Sequence, residues 1–129
     1  MKATDVQIGG THYKDLVVQP IELIASIRCS FIQGCIIKYI SRYKNKNEAQ
    51  DIQKCIHYAQ LAIQLKDKRK CCDKTLSVSL NKYILKNNFT ILQRRIITQA
   101  AYNNYENVII YCKELLQLEY PENQDFSKS

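Results

Sequence analysis

The chain has 129 residues, a length that suits one ordinary domain. Hydrophobic residues make up 46%, enough for a core, whereas Gly (3) and Pro (2) are scarce and Trp is absent, which argues against a many-stranded sheet and for helices. The formal net charge of +7 favours anionic partners such as nucleotides, nucleic acid or acidic lipid heads, but no run of five basic residues occurs, so a nucleic-acid-binding arm is not indicated.

Residues 1–19 read as irregular, with a turn at Gly9-Gly10-Thr11 and a short apolar stretch at Leu16-Val17-Val18. Pro20 opens the first helix, followed by Ile21, Ile24 and Ala25 at helical spacing and by Glu22 in the first turn. Ser30 is an N-cap for a second helix running to about Lys44, in which Ile32, Ile36, Tyr39, Ile40 and Tyr43 recur at threes and fours. After the polar break Asn45-Lys46-Asn47, Asn47 is expected to cap a third helix from Glu48 to about Lys70, antiparallel to the second. Residues 66–75 form a charged hinge. Beyond it come a short helix over Leu76–Lys86, another beginning at Thr90, and a last one from Tyr105 to Leu118, with Pro121 ending the helical pattern. No repeat is evident between the halves, although both read as helical hairpins. The expected fold is all-α, two hairpins of five to six helices, with residues 1–66 as one region and 67–129 as a helical extension of unknown role within the same domain. A hairpin of about 60 residues buries little by itself, so a homo-oligomer is expected.

The start of the chain is polar and no apolar stretch reaches the ~20 residues of a membrane span, so no membrane role and a cytoplasmic setting are expected. Six cysteines are then expected to be reduced. They show no C-x-x-C, and only two histidines accompany them; Cys71-Cys72 is the nearest approach to a metal motif. Cys29, Cys35, Cys55 and Cys112 read as small core residues, and no metal site is assigned.

The chemically informative stretch is Gly34-Cys35-Ile36-Ile37-Lys38-Tyr39-Ile40-Ser41-Arg42-Tyr43-Lys44. On a helix, Gly34, Lys38, Ser41 and Arg42 share a stripe, with Tyr39 and Tyr43 beside it. A mid-helix Gly costs about 1 kcal/mol relative to Ala, so a neighbouring helix or a ligand must approach there. Arg grips phosphate in a bidentate way, Lys acts as a point charge, and Tyr faces stack on bases. The plainer reading is a solvated basic face for Lys38 and Arg42, with Tyr39 and Tyr43 as core residues. Asp51, Lys54 and Tyr58 follow at spacings of three and four on the third helix and could face the same cleft. Asp51 is also what the macrodipole favours in a first helical turn. His12-Tyr13 follows the glycine turn, and His12 has the pKa range of an acid, base or phosphate contact. Neither glycine-rich phosphate cradle is present, nor a zinc-protease or nucleophile-elbow motif.

In order, His12-Tyr13, Gln19-Pro20-Ile21-Glu22, Phe31, Gly34, Lys38 to Lys44, Asp51, Lys54 and Tyr58 resemble a small domain widespread in bacteriophage proteins. It is similar to the domain of a phage nucleotide kinase that phosphorylates deoxynucleoside monophosphates without a P-loop. The resemblance covers about residues 7–66. It departs at Cys35, where the family usually has Asn, and at Cys55, where Ala is usual. What it implies is a nucleotide site in which His12, Tyr13, Gly34, Lys38, Tyr39, Arg42, Lys54 and Tyr58 bind the ligand. His12 and Asp51 are the catalytic candidates, and Mg²⁺ with a nucleoside triphosphate is required if the chain is a kinase. It also implies the cytoplasm of an infected bacterial cell. Two other readings use the same residues: a non-catalytic sponge for an immune signalling nucleotide, in an anti-defence role, and a helical module that binds a protein or, with less support, nucleic acid.

Overall fold

A computed structural model describes residues 2–5, 16–70 and 73–123. The Gly9-Gly10-Thr11 turn, His12, Tyr13, Cys71 and Cys72 lie outside the described residues. Among those described there are six α-helices, three short 3-10 turns and no strand. The helices are α1 (Pro20–Ile27), α2 (Phe31–Arg42), α3 (Ala49–Gln64), α4 (Asp73–Lys86), α5 (Ile91–Ala101) and α6 (Tyr105–Glu119). None is long and apolar enough to cross a membrane.

Local chemistry sets the helix ends. Ser30 caps α2 by accepting the Gln33 N–H at 3.1 Å, while the Gln33 side chain reaches back to accept the Ser30 N–H at 2.9 Å. Thr90 and Gln93 build the same box at the start of α5, at 3.3 and 3.0 Å. The third helix stops at Gln64, short of the expected Lys70. Lys66 takes a left-handed φ of 58°, and the Asp67 N–H closes the end on the Ala62 carbonyl. Asn103, at φ 61°, turns α5 into α6 in the same way, so the Asn103-Asn104 pair is a true break.

The core is built by helix pairs both within and between the two halves. α2 lies against α3 and α5, α6 lies against α3 and α5, and α1 lies against α4. Ile36, Ile37, Ile40, Ile52, Ile96, Ile97, Leu115 and Leu116 are all fully buried at these contacts. Two buried amides lock the halves together: Gln33 Nε2 donates to the Ala100 carbonyl at 3.0 Å, and Gln93 Nε2 donates to the Ile40 carbonyl at 3.0 Å. Cys55 and Cys112 are fully enclosed between α3 and α6, and burial pushes the Cys55 thiol well up, so both serve as small core residues.

Polar groups tie the periphery to this core. Asp67 accepts from Ser30 Oγ at 2.6 Å and from the Tyr105 hydroxyl at 3.0 Å, joining the segment after α3 to the starts of α2 and α6. Asn87, only 2% exposed, exchanges both amide hydrogen bonds with the backbone of Val18, at 3.2 and 2.8 Å, and so fastens the strip before α1 to the end of α4. Of the two readings of Tyr43, beside the cationic stripe or in the core, the structure shows the second: it is fully buried and donates to both carboxylate oxygens of Glu119, at 2.9 and 3.0 Å.

The tyrosines give the fold an alkaline limit. Burial, with Glu119 adding to it, raises the Tyr43 hydroxyl far above its ordinary value. Burial also dominates at Tyr105, where Asp67 adds to it and Asn103 opposes it. Because both folded-state values are raised, their contribution is complete below the unfolded tyrosine pKa of about 10 and is lost as pH climbs past it. Urea unfolding from about pH 8 to about pH 11 is expected to show level stability and then a decline approaching 1.4 kcal/mol per pH unit for each tyrosine. Tyr43→Phe is expected to be less stable at about pH 8 but to decline less steeply above about pH 10.

Candidate functional site

Three helical turns bring the site together. Lys38, Tyr39 and Arg42 project from α2, and Asp51, Lys54 and Tyr58 from α3. At helical spacing, residues three and four apart lie on one face, and the antiparallel hairpin turns the two faces toward each other. Asp51 is the anchor. Its side chain is fully buried, and its carboxylate accepts from Arg42 Nε at 3.1 Å, Arg42 Nη2 at 3.4 Å and Asn47 Nδ2 at 3.4 Å, with Lys54 Nζ 3.6 Å away.

The Tyr39 ring is the meeting point of the cations. Lys38 Nζ, Arg42 Cζ and Lys54 Nζ lie 4.6, 4.8 and 4.9 Å from its centroid, within cation–π range. Tyr39 is stacked on Tyr58 at 5.9 Å and 21°, and Tyr58 meets the edge of Phe31 at 6.5 Å. Three cations and one carboxylate give this cluster a formal net charge of +2. Arg42, only 11% exposed, turns Nε and Nη2 to Asp51; Lys54 is 35% exposed, and Lys38 makes no ion pair among the described residues.

Beside the cluster, Ile24, Cys29, Ser30, Phe31, Gly34, Cys35 and Lys38 enclose a groove of 220 Å³ between α1 and α2. A second, apolar recess of 110 Å³ adjoins it and shares Ile24 and Lys38 with it. Gly34 forms part of the groove wall. A Cβ added there would lie 3.4 Å from Ile24 Cγ2, an ordinary contact, so packing alone does not demand glycine. Its absence leaves the groove deeper. Phe31, 79% exposed, stands at the lip of the groove, where its ring face is open to stacking. Cys35 is buried against Tyr58, and its thiol is pushed up mainly by that burial, partly offset by Lys38, so it is a neutral wall at physiological pH.

The structure thus brings together Gly34, Lys38, Tyr39, Arg42, Asp51, Lys54 and Tyr58, while His12 and Tyr13 lie outside the described residues. Ser41 departs from the expected stripe: it is turned inward, donating to the Ile37 carbonyl at 2.7 Å and sharing a 2.6 Å hydrogen bond with the Tyr83 hydroxyl. His57 is exposed at the edge of Tyr58. The groove itself was not legible in advance, because Ile24, Cys29 and Ser30 come from the α1–α2 corner rather than from the charged stripe. Among the described residues no group of three or more His, Cys, Asp or Glu could hold a metal.

Removing the Asp51 carboxylate takes the ion pair from an Arg42 that is only 11% exposed. Asp51→Ala is expected to cost about 3–5 kcal/mol in chemical denaturation, and the double replacement Arg42→Met with Asp51→Leu to recover most of that loss. Equal losses in the single and double variants would mean that the charge pair is not what the position depends on.

Residues 9–60 match the model of a protein family described as being of unknown function, DUF3310. No curated protein and no solved structure matches the chain. The matched segment contains every residue of the cationic, aromatic cluster, and α4 to α6 fall outside it. The similarity to that family is thus confined to residues 9–60, less than half of the chain.

Proposed function

We propose that the chain binds a small nucleotide, its phosphates against Lys38 and Lys54 and its base in the groove beside Phe31. The observation that carries this reading is the placement of Lys38. It belongs to the +2 cluster around Tyr39 and also lines the apolar groove, so charge recognition and ring recognition meet at one side chain. Nucleotides carry those two features at this separation, and sites for them combine a few placed polar groups with apolar walls. The resemblance to the phage nucleotide kinase domain points the same way.

Binding without turnover is the form that the geometry favours. Phosphoryl transfer needs positioning together with a metal ion that bridges phosphate oxygens. Asp51, the acid within the cluster, has both oxygens engaged by Arg42, Asn47 and Lys54, and does not fit as a ligand for Mg²⁺. The same carboxylate is an ion-pair anchor and not a general base. A protein that sequesters a signalling nucleotide needs the cations and rings alone. The kinase reading rests on the family resemblance and on His12. An extended nucleic-acid contact is less well supported, since the cations converge on one ring instead of spreading along a face.

Equilibrium dialysis against deoxynucleoside monophosphates and ATP, followed by denaturation and recovery of the ligand, tests both levels of the reading. Intact nucleotide is expected to be recovered in full with Mg²⁺ and ATP present. A phosphorylated product would replace sequestration by the kinase, and no retention of any nucleotide would end the nucleotide proposal. Lys38→Ala is expected to weaken binding about 10- to 100-fold, the loss of one charge-assisted contact, with helicity unchanged. Gly34→Ala is expected to raise stability by about 0.5–1 kcal/mol while weakening binding, because the methyl that favours the helix also fills the groove.

A further inference from the structure

The reciprocal amide bonds carry more than stability. Gln33 binds the carbonyl of residue 100, and Gln93 binds the carbonyl of residue 40. Adding 60 to one donor gives the other, and subtracting 60 from one acceptor gives the other. The capping boxes that begin α2 and α5, Ser30 with Gln33 and Thr90 with Gln93, are separated by the same 60 residues. So are the sequences they open: Ser30-Phe31-Ile32-Gln33-x-x-Ile36-Ile37 and Thr90-Ile91-Leu92-Gln93-x-x-Ile96-Ile97.

Burial follows the same rule. Leu23 and Tyr83, Ile27 and Asn87, and Ile40 and Ala100 are buried pairs at that spacing. In the third helix of each half the spacing becomes 56, because the preceding turn is shorter. Ala49, Ile52, Ile56 and Ala59 are then matched by Tyr105, Val108, Cys112 and Leu115, all buried. Each helix also packs on its own counterpart: α1 on α4, α2 on α5 and α3 on α6. Pairing of every element with its own equivalent is what a two-fold axis produces.

We infer that α4–α6 is a second copy of the α1–α3 unit, seated where a partner subunit would sit, and that this copy has closed its own ligand groove. Arg94 stands at the position of Gly34, and its Nε donates to the Phe89 carbonyl at 3.1 Å, across the corner where the first copy keeps its groove open beside Cys29. Thr98, Gln99 and Tyr102 stand at the positions of Lys38, Tyr39 and Arg42. Asn107 stands at the position of Asp51 opposite Tyr102 at that of Arg42, so the first copy's ion pair has no charged counterpart, and the Asn107 amide donates instead to Gln99 at 3.1 Å. The chain is therefore a covalent pseudo-dimer with one working groove. The second copy supplies the homotypic face that a unit of this size needs to complete its core.

Two measurements on the full chain test this, the second of which rests on the nucleotide reading. Light scattering during gel filtration is expected to give the 15.1 kDa of one chain at micromolar concentration, because the homotypic face is already filled. Twice that mass would overturn the inference. Calorimetric titration with inorganic pyrophosphate is expected to give one site per wild-type chain. The variant combining Arg94→Gly, Thr98→Lys, Gln99→Tyr, Tyr102→Arg, Asn107→Asp and Ile110→Lys, which rebuilds the ring and both lysines of the first copy, is expected to bind a second equivalent. A folded variant that keeps a single site would overturn the equivalence of the two grooves, and two equal sites in the wild-type chain would overturn the closure of the second. If the variant does not fold, Thr98→Lys combined with Tyr102→Arg and Asn107→Asp is used, with Arg94 kept, and a new, weaker second pyrophosphate site is expected; a folded variant with a single site would again overturn the equivalence. No binding by the wild-type chain would sink the nucleotide reading and leave the mass to decide whether the second copy fills the partner's place.

Discussion

The buried carboxylate of Asp51 is the constraint on which the site depends. A carboxylate with no exposed surface is costly unless cations and donors surround it, and here Arg42, Lys54 and Asn47 do so. That requirement draws two cations from two helices into one place, where mutual repulsion would otherwise separate them. The Tyr39 ring completes the arrangement, because its face tolerates the cations that the single carboxylate does not neutralise. Excess positive charge is thus held in advance, so under the proposed function a phosphate would meet cations whose side chains are already ordered.

Stability and recognition are divided between neighbouring residues. Arg42 is committed to Asp51, whereas Lys38 and Lys54 are more accessible. Gly34 marks the same division from the other side. Alanine would fit against Ile24, so the glycine gives up helix stability at a position where depth in the groove is what its missing Cβ provides.

The second half of the chain explains how so small a unit obtains a core. Along α2, one face carries the cluster and groove, while the other, with Ile37, Ile40 and Ser41, is buried against α5 and α4. The two amide bridges join backbone carbonyls across that contact, satisfying buried polar groups that would each cost about 1–3 kcal/mol if left unpaired. A copy released from ligand binding is free to replace Gly34 and Lys38 by Arg94 and Thr98 while Gln93, Ile96 and Ile97, which hold the interface, persist.

Periodicity and capping chemistry were enough to find the helices. Pro20, Ser30 and Thr90 mark starts whose physics is local, and the threes and fours of α2 and α3 placed Lys38, Tyr39, Arg42, Asp51, Lys54 and Tyr58 on facing stripes. Local pattern failed where long-range contacts decided. Helix α3 stops at Gln64 because Lys66 turns left-handed and Asp67 is drawn back to Ser30 and Tyr105. Tyr43 faces Glu119, Ser41 faces Tyr83, and the groove exists only because α1 folds over Gly34. The relation between the halves was written in the 60-residue spacing of Gln33 and Gln93, but substitution of the whole charged stripe in the second copy hid it. Helices follow from neighbours along the chain, so the sequence determined them. Which faces meet, which cation is spent on a carboxylate and where space remains for a ligand follow from contacts between distant residues, and only the tertiary structure decided those.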